Sequence, residues 1–112
     1  MSDGVLSWRC VQNNKRNWLS PVLANSAEHE LRKFKVCYYL RKLGLSYFCE
    51  ATFDYNVGRA DIFVVEKEVA IEILESEEEK RFEEKKRSYP CRVVGVRPEF
   101  EITLDSIDLL VN

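Results

Sequence analysis

The chain has 112 residues, 46% hydrophobic and 32% charged, with a formal net charge of -2; this size and balance fit one globular domain around a single core and leave no room for a second catalytic domain. Disordered and fibrous classes are excluded by the same balance, and no apolar run approaches the ~18 residues of a membrane span. The N-terminal MSDGVLSWRC lacks the charged and apolar regions of a secretion signal, so a cytoplasmic location is expected.

Four cysteines, Cys10, Cys37, Cys49 and Cys91, are scattered without a C-x-x-C pair, and the chain holds one histidine. A zinc site is therefore not expected, and small buried thiols are. Charge is distributed unevenly: residues 1–48 carry a net +5, residues 49–79 a net -8 and the remainder +1. Either solvated helix faces or an acidic, cation-binding centre rimmed by positive charge for a polyanion would produce this pattern.

Residues 1–25, with Trp8, Trp18 and the polar QNNKRN between them, are expected to form an N-terminal arm or hairpin, and residues 26–112 a single α/β domain. Ser26 reads as an N-cap, followed by a helix that Gly44 closes. At about 100° per residue, Ala27, Glu30, Leu31, Phe34, Cys37 and Tyr38 share its predicted inner face, while Glu28, Arg32 and Lys35 point away. His29 is expected to be exposed.

Three strands follow, over 47–53, 60–65 and 69–74, rich in β-branched and aromatic residues. Only Glu66-Lys67-Glu68 separates the last two, so they form a hairpin, and a loop of two or four residues places Asp61 directly opposite Glu72. Side chains opposed on one ladder face have Cβ atoms about 4.5–5.5 Å apart. Ser76, with the acids after it, predicts the N-cap of a second helix that stops before Pro90, with Phe82, Lys85, Lys86 and Tyr89 on or beside one face and Lys80 opposite. A fourth strand over 91–96 and a short helix over 104–111 complete an α/β domain with a mixed sheet of about four strands flanked by helices, in the order α-β-β-β-α-β.

Asp61 and Glu72 stand inside the buried-strand pattern GRADIFVVEKEVAIEILES, where a lone carboxylate costs several kcal/mol unless it is paired, protonated or bound to a metal. A divalent cation is the simplest explanation. Mg²⁺ keeps several waters, so two carboxylates and a backbone carbonyl suffice, here Asp61, Glu72 and the carbonyl of Ile73, with Glu30 holding a water or a second ion. Such a centre, with Mg²⁺ or Mn²⁺, activates water and steadies the charge that develops on a phosphodiester as it is cleaved. The alternative is that Asp61 pairs with Arg59 or a lysine and that Glu72 sits at a wetter edge.

G-R-A-D, then A-I-E-I after a hairpin, both preceded by a helix bearing an inward glutamate, resemble the PD-(D/E)XK nuclease superfamily, which includes restriction endonucleases, archaeal Holliday-junction resolvases and nucleases of archaeal viruses. The resemblance covers about residues 26–97 and implies a restriction-endonuclease-like core. It also implies metal binding by the acids in the positions of Asp61 and Glu72, assistance from Glu30, and homodimers acting on DNA; apolar residues of the arm that are expected to be exposed, such as Trp8 and Trp18, are candidate contributors to the dimer. If the chain is viral, its location would be the host cytoplasm. The pattern asks for lysine two residues after the second acid, where this chain has Leu74. Lys86, three residues before Tyr89, resembles a Gln-x-x-Tyr arrangement in related exonucleases and is the preferred substitute, with Lys85 second. Lys33, His29 and Arg59 are candidate phosphate contacts, and Arg59 could equally be a structural partner of Asp61. The expected function is a Mg²⁺-dependent DNA endonuclease; the alternative is a weakened nuclease-like fold that binds nucleic acid or protein.

Overall fold

The computed structural model describes residues 8–10, 15–53, 58–76 and 78–112. The side chain of Trp8, residues 12–14 of the polar QNNKRN stretch and Glu77 lie outside the described residues. Strand β1 (Trp8–Cys10) is followed by helix α1 (Ala27–Lys42), strands β2 (Tyr47–Phe53), β3 (Arg59–Val64) and β4 (Val69–Ile73), helix α2 (Glu79–Ser88), strand β5 (Arg92–Val96) and helix α3 (Leu104–Val111). The strands lie side by side in sequence order. β1 through β4 pair antiparallel, and β4 pairs parallel with β5 across the α2 connection. The result is a small α/β fold whose mixed sheet has four main strands, extended at one edge by the three residues of β1.

The hairpin has the expected register. Val64 faces Val69 and Ile62 faces Ile71, which carries Asp61 to the position opposite Glu72. Four residues, Val65 to Glu68, make the turn, and Glu68 adopts φ 53° to close it. β4 is buried on both faces, as a central strand with parallel pairing requires.

One side of the sheet packs Ile62, Val64, Val69, Ile71 and Ile73 beneath Val36, Cys37 and Leu40 of α1 and Ile107 and Val111 of α3. The other side packs Phe63, Ala70 and Leu74 with Phe82 of α2 and with Tyr89, while Phe53 and Tyr89 stack 4.7 Å apart. Residues 15–25 lie against the same body. Asn17 donates its N–H to the Tyr47 carbonyl and accepts from the Tyr47 N–H, and Leu19 touches the core.

Two local expectations are corrected. α1 does start after Ser26, whose hydroxyl accepts the His29 N–H, but it is turned by about one residue's rotation from the predicted face. His29, Lys33, Val36, Cys37 and Leu40 are buried, while Leu31, Phe34 and Tyr38 are 65%, 55% and 48% exposed. Hydrophobic periodicity misplaced the face because two of the buried positions are cationic and find carboxylate partners beneath the helix. α2 begins at Glu79 with Glu78 at the cap position, not at Ser76; the Glu75 N–H instead donates to the Glu78 carboxylate.

α2 sits close to β5 because Gly95 has no side chain. A Cβ there would lie 2.6 Å from Leu74 Cδ1 and 3.0 Å from Phe82 Cζ. Gly95→Ala is therefore expected to destabilise the fold by about 1–3 kcal/mol, as overpacking does. Urea unfolding measures this, and an unchanged midpoint would show that α2 has room to give.

Candidate active site

Asp61 lies one residue beyond the last β3–β4 ladder pair formed by the backbone, Ile62 with Ile71, and here side chains take over the work of the ladder. The Ile73 N–H donates to Asp61 Oδ2 at 2.8 Å, and the Asp61 N–H donates to Glu72 Oε2 at 3.3 Å. Each acid is thus tied to the other's strand, and both line one cavity of about 300 Å³ between α1 and α2, shared with Asn25, His29, Glu50 and Arg59. Glu72 is 3% exposed and receives Lys85 Nζ at 2.7 Å. Burial, then the neighbouring Asp61 charge, pushes the Glu72 carboxyl up to about 7, against the opposing pull of Lys85.

From Asp61 a chain of charges runs behind the cavity through α1 and returns to its wall at Glu50 and Arg59. His29 Nε2 lies 3.4 Å from Asp61 Oδ2, and its Nδ1 lies 2.9 Å from Glu30 Oε2. With a carboxylate at each nitrogen the ring serves both as imidazolium, and its pKa rises to about 9, chiefly through the hydrogen bond to Asp61 and despite burial. Glu30 also accepts the Val22 N–H and the Asn25 amide. Burial raises its pKa, but Lys33 and these donors outweigh that and hold it at about 2. Lys33, fully buried, bridges Glu30 at 2.9 Å and Glu50 at 2.8 Å, and Arg59 Nε meets the other oxygen of Glu50 at 3.2 Å. Removing either side of such a buried pair leaves an uncompensated charge, at a cost of about 3–5 kcal/mol.

Glu50 itself has φ 55° in mid-strand, a left-handed conformation that a non-glycine side chain rarely adopts and that costs on the order of 1–3 kcal/mol. Before it, Tyr47 and Cys49 belong to the core under α1; after it, Ala51 and Phe53 belong to the core under α2.

The positions expected from sequence separate into two groups. Asp61, Glu72 and Ile73 line the cavity together with Arg59 and Lys85, whereas Glu30 is not on its wall and is linked to Asp61 only through His29. Lys33 does not reach a surface where phosphate could meet it, because Glu30 and Glu50 enclose it. His29, expected outside, is buried. Lys86 is turned out, 3.8 Å from Glu83 and over the Phe82 ring, so the lysine that touches the acids is Lys85. Arg59 pairs with Glu50 and remains 58% exposed. Leu74, in the position where the family pattern has lysine, is buried against Phe82.

Sequence reading missed Glu50. The register of β2 on β3, Cys49 with Ile62 and Ala51 with Ala60, puts Glu50 across from Asp61. No group of three or more His, Cys, Asp or Glu side chains is arranged to hold a metal ion among the described residues. No protein-family model, curated protein or solved structure matches the chain. Among the described residues no helix is long and apolar enough to cross a membrane.

The titration of these groups sets a direction for stability. Glu72, with its pKa raised above the ordinary 4.5, disfavours the fold as it ionises, so stability is lost as pH rises from 4.5 through about 7. The contribution of His29 is complete below 6.5 and is lost as pH rises through about 9; that of Glu30 is complete above 4.5 and is lost only as pH falls through about 2. In chelator, melting temperature should therefore peak near pH 5 and fall towards pH 9. Glu72→Gln should flatten the lower part of that fall and His29→Asn the upper part. A melting temperature constant from pH 5 to 9 would contradict this assignment.

Proposed function

We propose that the chain is a Mg²⁺-dependent DNA endonuclease with a restriction-endonuclease-like core. The observation that carries the reading is the pair Asp61 and Glu72, tied across two strand ends and opening on one cavity with Lys85 on Glu72. The donor set fits the cation. Two hard carboxylate oxygens and the Ile73 carbonyl are what Mg²⁺ or Mn²⁺ accepts alongside waters, and the burial of Glu72 with partial compensation leaves a demand for positive charge. When bound, the ion would activate a water and stabilise the anionic phosphorus centre.

The chain's own residues have distinct tasks in this reading. His29, held by Glu30, fixes the orientation of Asp61. Lys85 supplies the ammonium that the motif strand lacks, close enough to Glu72 to face the scissile phosphate. Arg59 and Arg81, on the cavity wall, hold the neighbouring phosphates. Attack by water on phosphorus then breaks the P–O bond, and the leaving oxygen takes a proton.

The test compares variants on duplex, flap, single-stranded and four-way DNA. Asp61→Asn should lower cleavage by about 10³-fold or more and Lys85→Ala by about 10²–10³-fold, as loss of a charge-stabilising group does, while Lys86→Ala should stay within about twofold of wild type. The second reading, a binding module, is favoured by Leu74, whose burial leaves no cation on the motif strand. Wild-type protein that cleaves none of these DNAs in Mg²⁺ or Mn²⁺, yet retains DNA in a salt-sensitive way, would establish that reading instead.

Homodimer formation belongs to the same proposal. α1 turns Leu31, Phe34 and Tyr38 outward along one line, flanked by Glu28 at its start and Arg41 at its end. Two copies of α1 packed antiparallel about a two-fold axis near residues 34 and 35 would set Leu31 on Tyr38 and Glu28 on Arg41, so the surface is complementary to itself. Light scattering should report a dimer. Phe34→Glu or Glu28→Arg should weaken it, and Arg41→Glu added to Glu28→Arg should restore it. A monomeric wild type would end the idea.

A further inference from the structure

Cys37 of α1 and Cys49 of β2 place their sulfur atoms 3.7 Å apart inside the core under α1. Neither is in a disulfide and both are buried, at 2% and 6% exposure. No other pair of elements in the molecule is joined in this way among the described residues, and the position of the pair is informative. Cys37 stands one helical turn after Lys33, and Cys49 immediately precedes Glu50 in the chain. The two thiols therefore sit beside the buried Lys33–Glu50 ion pair, which links the same helix to the same strand.

We propose that Cys37 and Cys49 are a disulfide-forming pair that, when oxidised, locks α1 onto β2 next to the charge chain behind Asp61. Closing the gap to a bond length of about 2.05 Å requires side-chain rotation of one or both cysteines, with their backbones already held on adjacent elements. Oxidised glutathione is a sufficient oxidant. One cysteine thiolate attacks a glutathione sulfur and releases one glutathione thiolate; the second cysteine, losing its proton to solvent, attacks the protein sulfur of the mixed disulfide and releases the other. Two protein thiols are oxidised by two electrons, and one glutathione disulfide becomes two thiols.

Burial keeps the Cys37 thiol protonated well beyond the ordinary range, and a protonated thiol is a poor nucleophile. The exchange therefore proceeds while the chain folds or when α1 lifts from the sheet, and the folded protein then shields the bond from reductants. Cys91, packed against the other core and with its pKa raised to about 11 by burial, has no facing thiol among the described residues and is an internal control.

The protein is unfolded and refolded in a glutathione redox buffer, remaining thiols are alkylated, and intact mass and peptide mapping are read. The expected result is one 37–49 disulfide and a melting temperature roughly 10 °C above that of the reduced protein, the order of effect for a short loop in a domain of this size. Cys49→Ser should abolish both the bond and the shift, while Cys91→Ser should retain both. Alkylation of both Cys37 and Cys49 in the refolded wild type, or a bond from either one to Cys10 or Cys91, would overturn the proposal. These readings do not depend on cleavage activity, so their failure and that of the nuclease assignment are separable.

Discussion

The structure depends on how it accommodates negative charge within the sheet. Glu72 is almost wholly enclosed, Asp61 is its neighbour across the ladder, and Glu50 stands across β3 from them. Left alone, such a group would repel itself and cost several kcal/mol in lost hydration. The fold answers with three cations brought from helices, His29 and Lys33 from α1 and Lys85 from α2, and with backbone N–H groups released where the β3–β4 ladder ends. The helices are positioned by these pairs as well as by the apolar cores.

Two consequences for the site follow. The acids are held from behind by α1 and from the front by α2, so the cavity between the helices is bounded by groups whose charges oppose each other. In addition, the network is graded. Lys33 and Glu30 are satisfied by several partners each, whereas Glu72 has one ammonium and a strained protonation equilibrium. The rear of the network is closed by its own pairs, and the front keeps the less compensated acid.

Much of this was legible in sequence. Strand β2, helix α3 and the β3–β4 turn follow from β-branched runs and turn chemistry, and the register that opposes Asp61 to Glu72 follows from loop length alone. The face of α1 was not legible. The sequence reading exposes His29 and gives Lys33 to phosphate, and the carboxylates of Asp61 and Glu50 on distant strands, with Glu30 of the helix itself, reverse that. Lys85 and Lys86 differ by about 100° on one helix, so the rotation at which α2 packs on the sheet decides which of them meets Glu72. Glu50 went unnoticed because the pattern of its own strand, YFCEATF, reads as ordinary alternation, and its left-handed backbone has no glycine or asparagine to announce it.

The buried ammonium of Lys33 has a bearing on how α1 is seated. A helix held only by aliphatic contacts can roll about its long axis at modest cost, because one methyl group substitutes for another. A helix that must deliver a single charged atom to a carboxylate on another element has one favoured azimuth, and a roll carries Lys33 and Glu30 together away from Glu50 and severs that contact. The aromatic outer flank of α1 is then a by-product of that indexing: its most greasy residues face outward because the ionic key admits no other orientation.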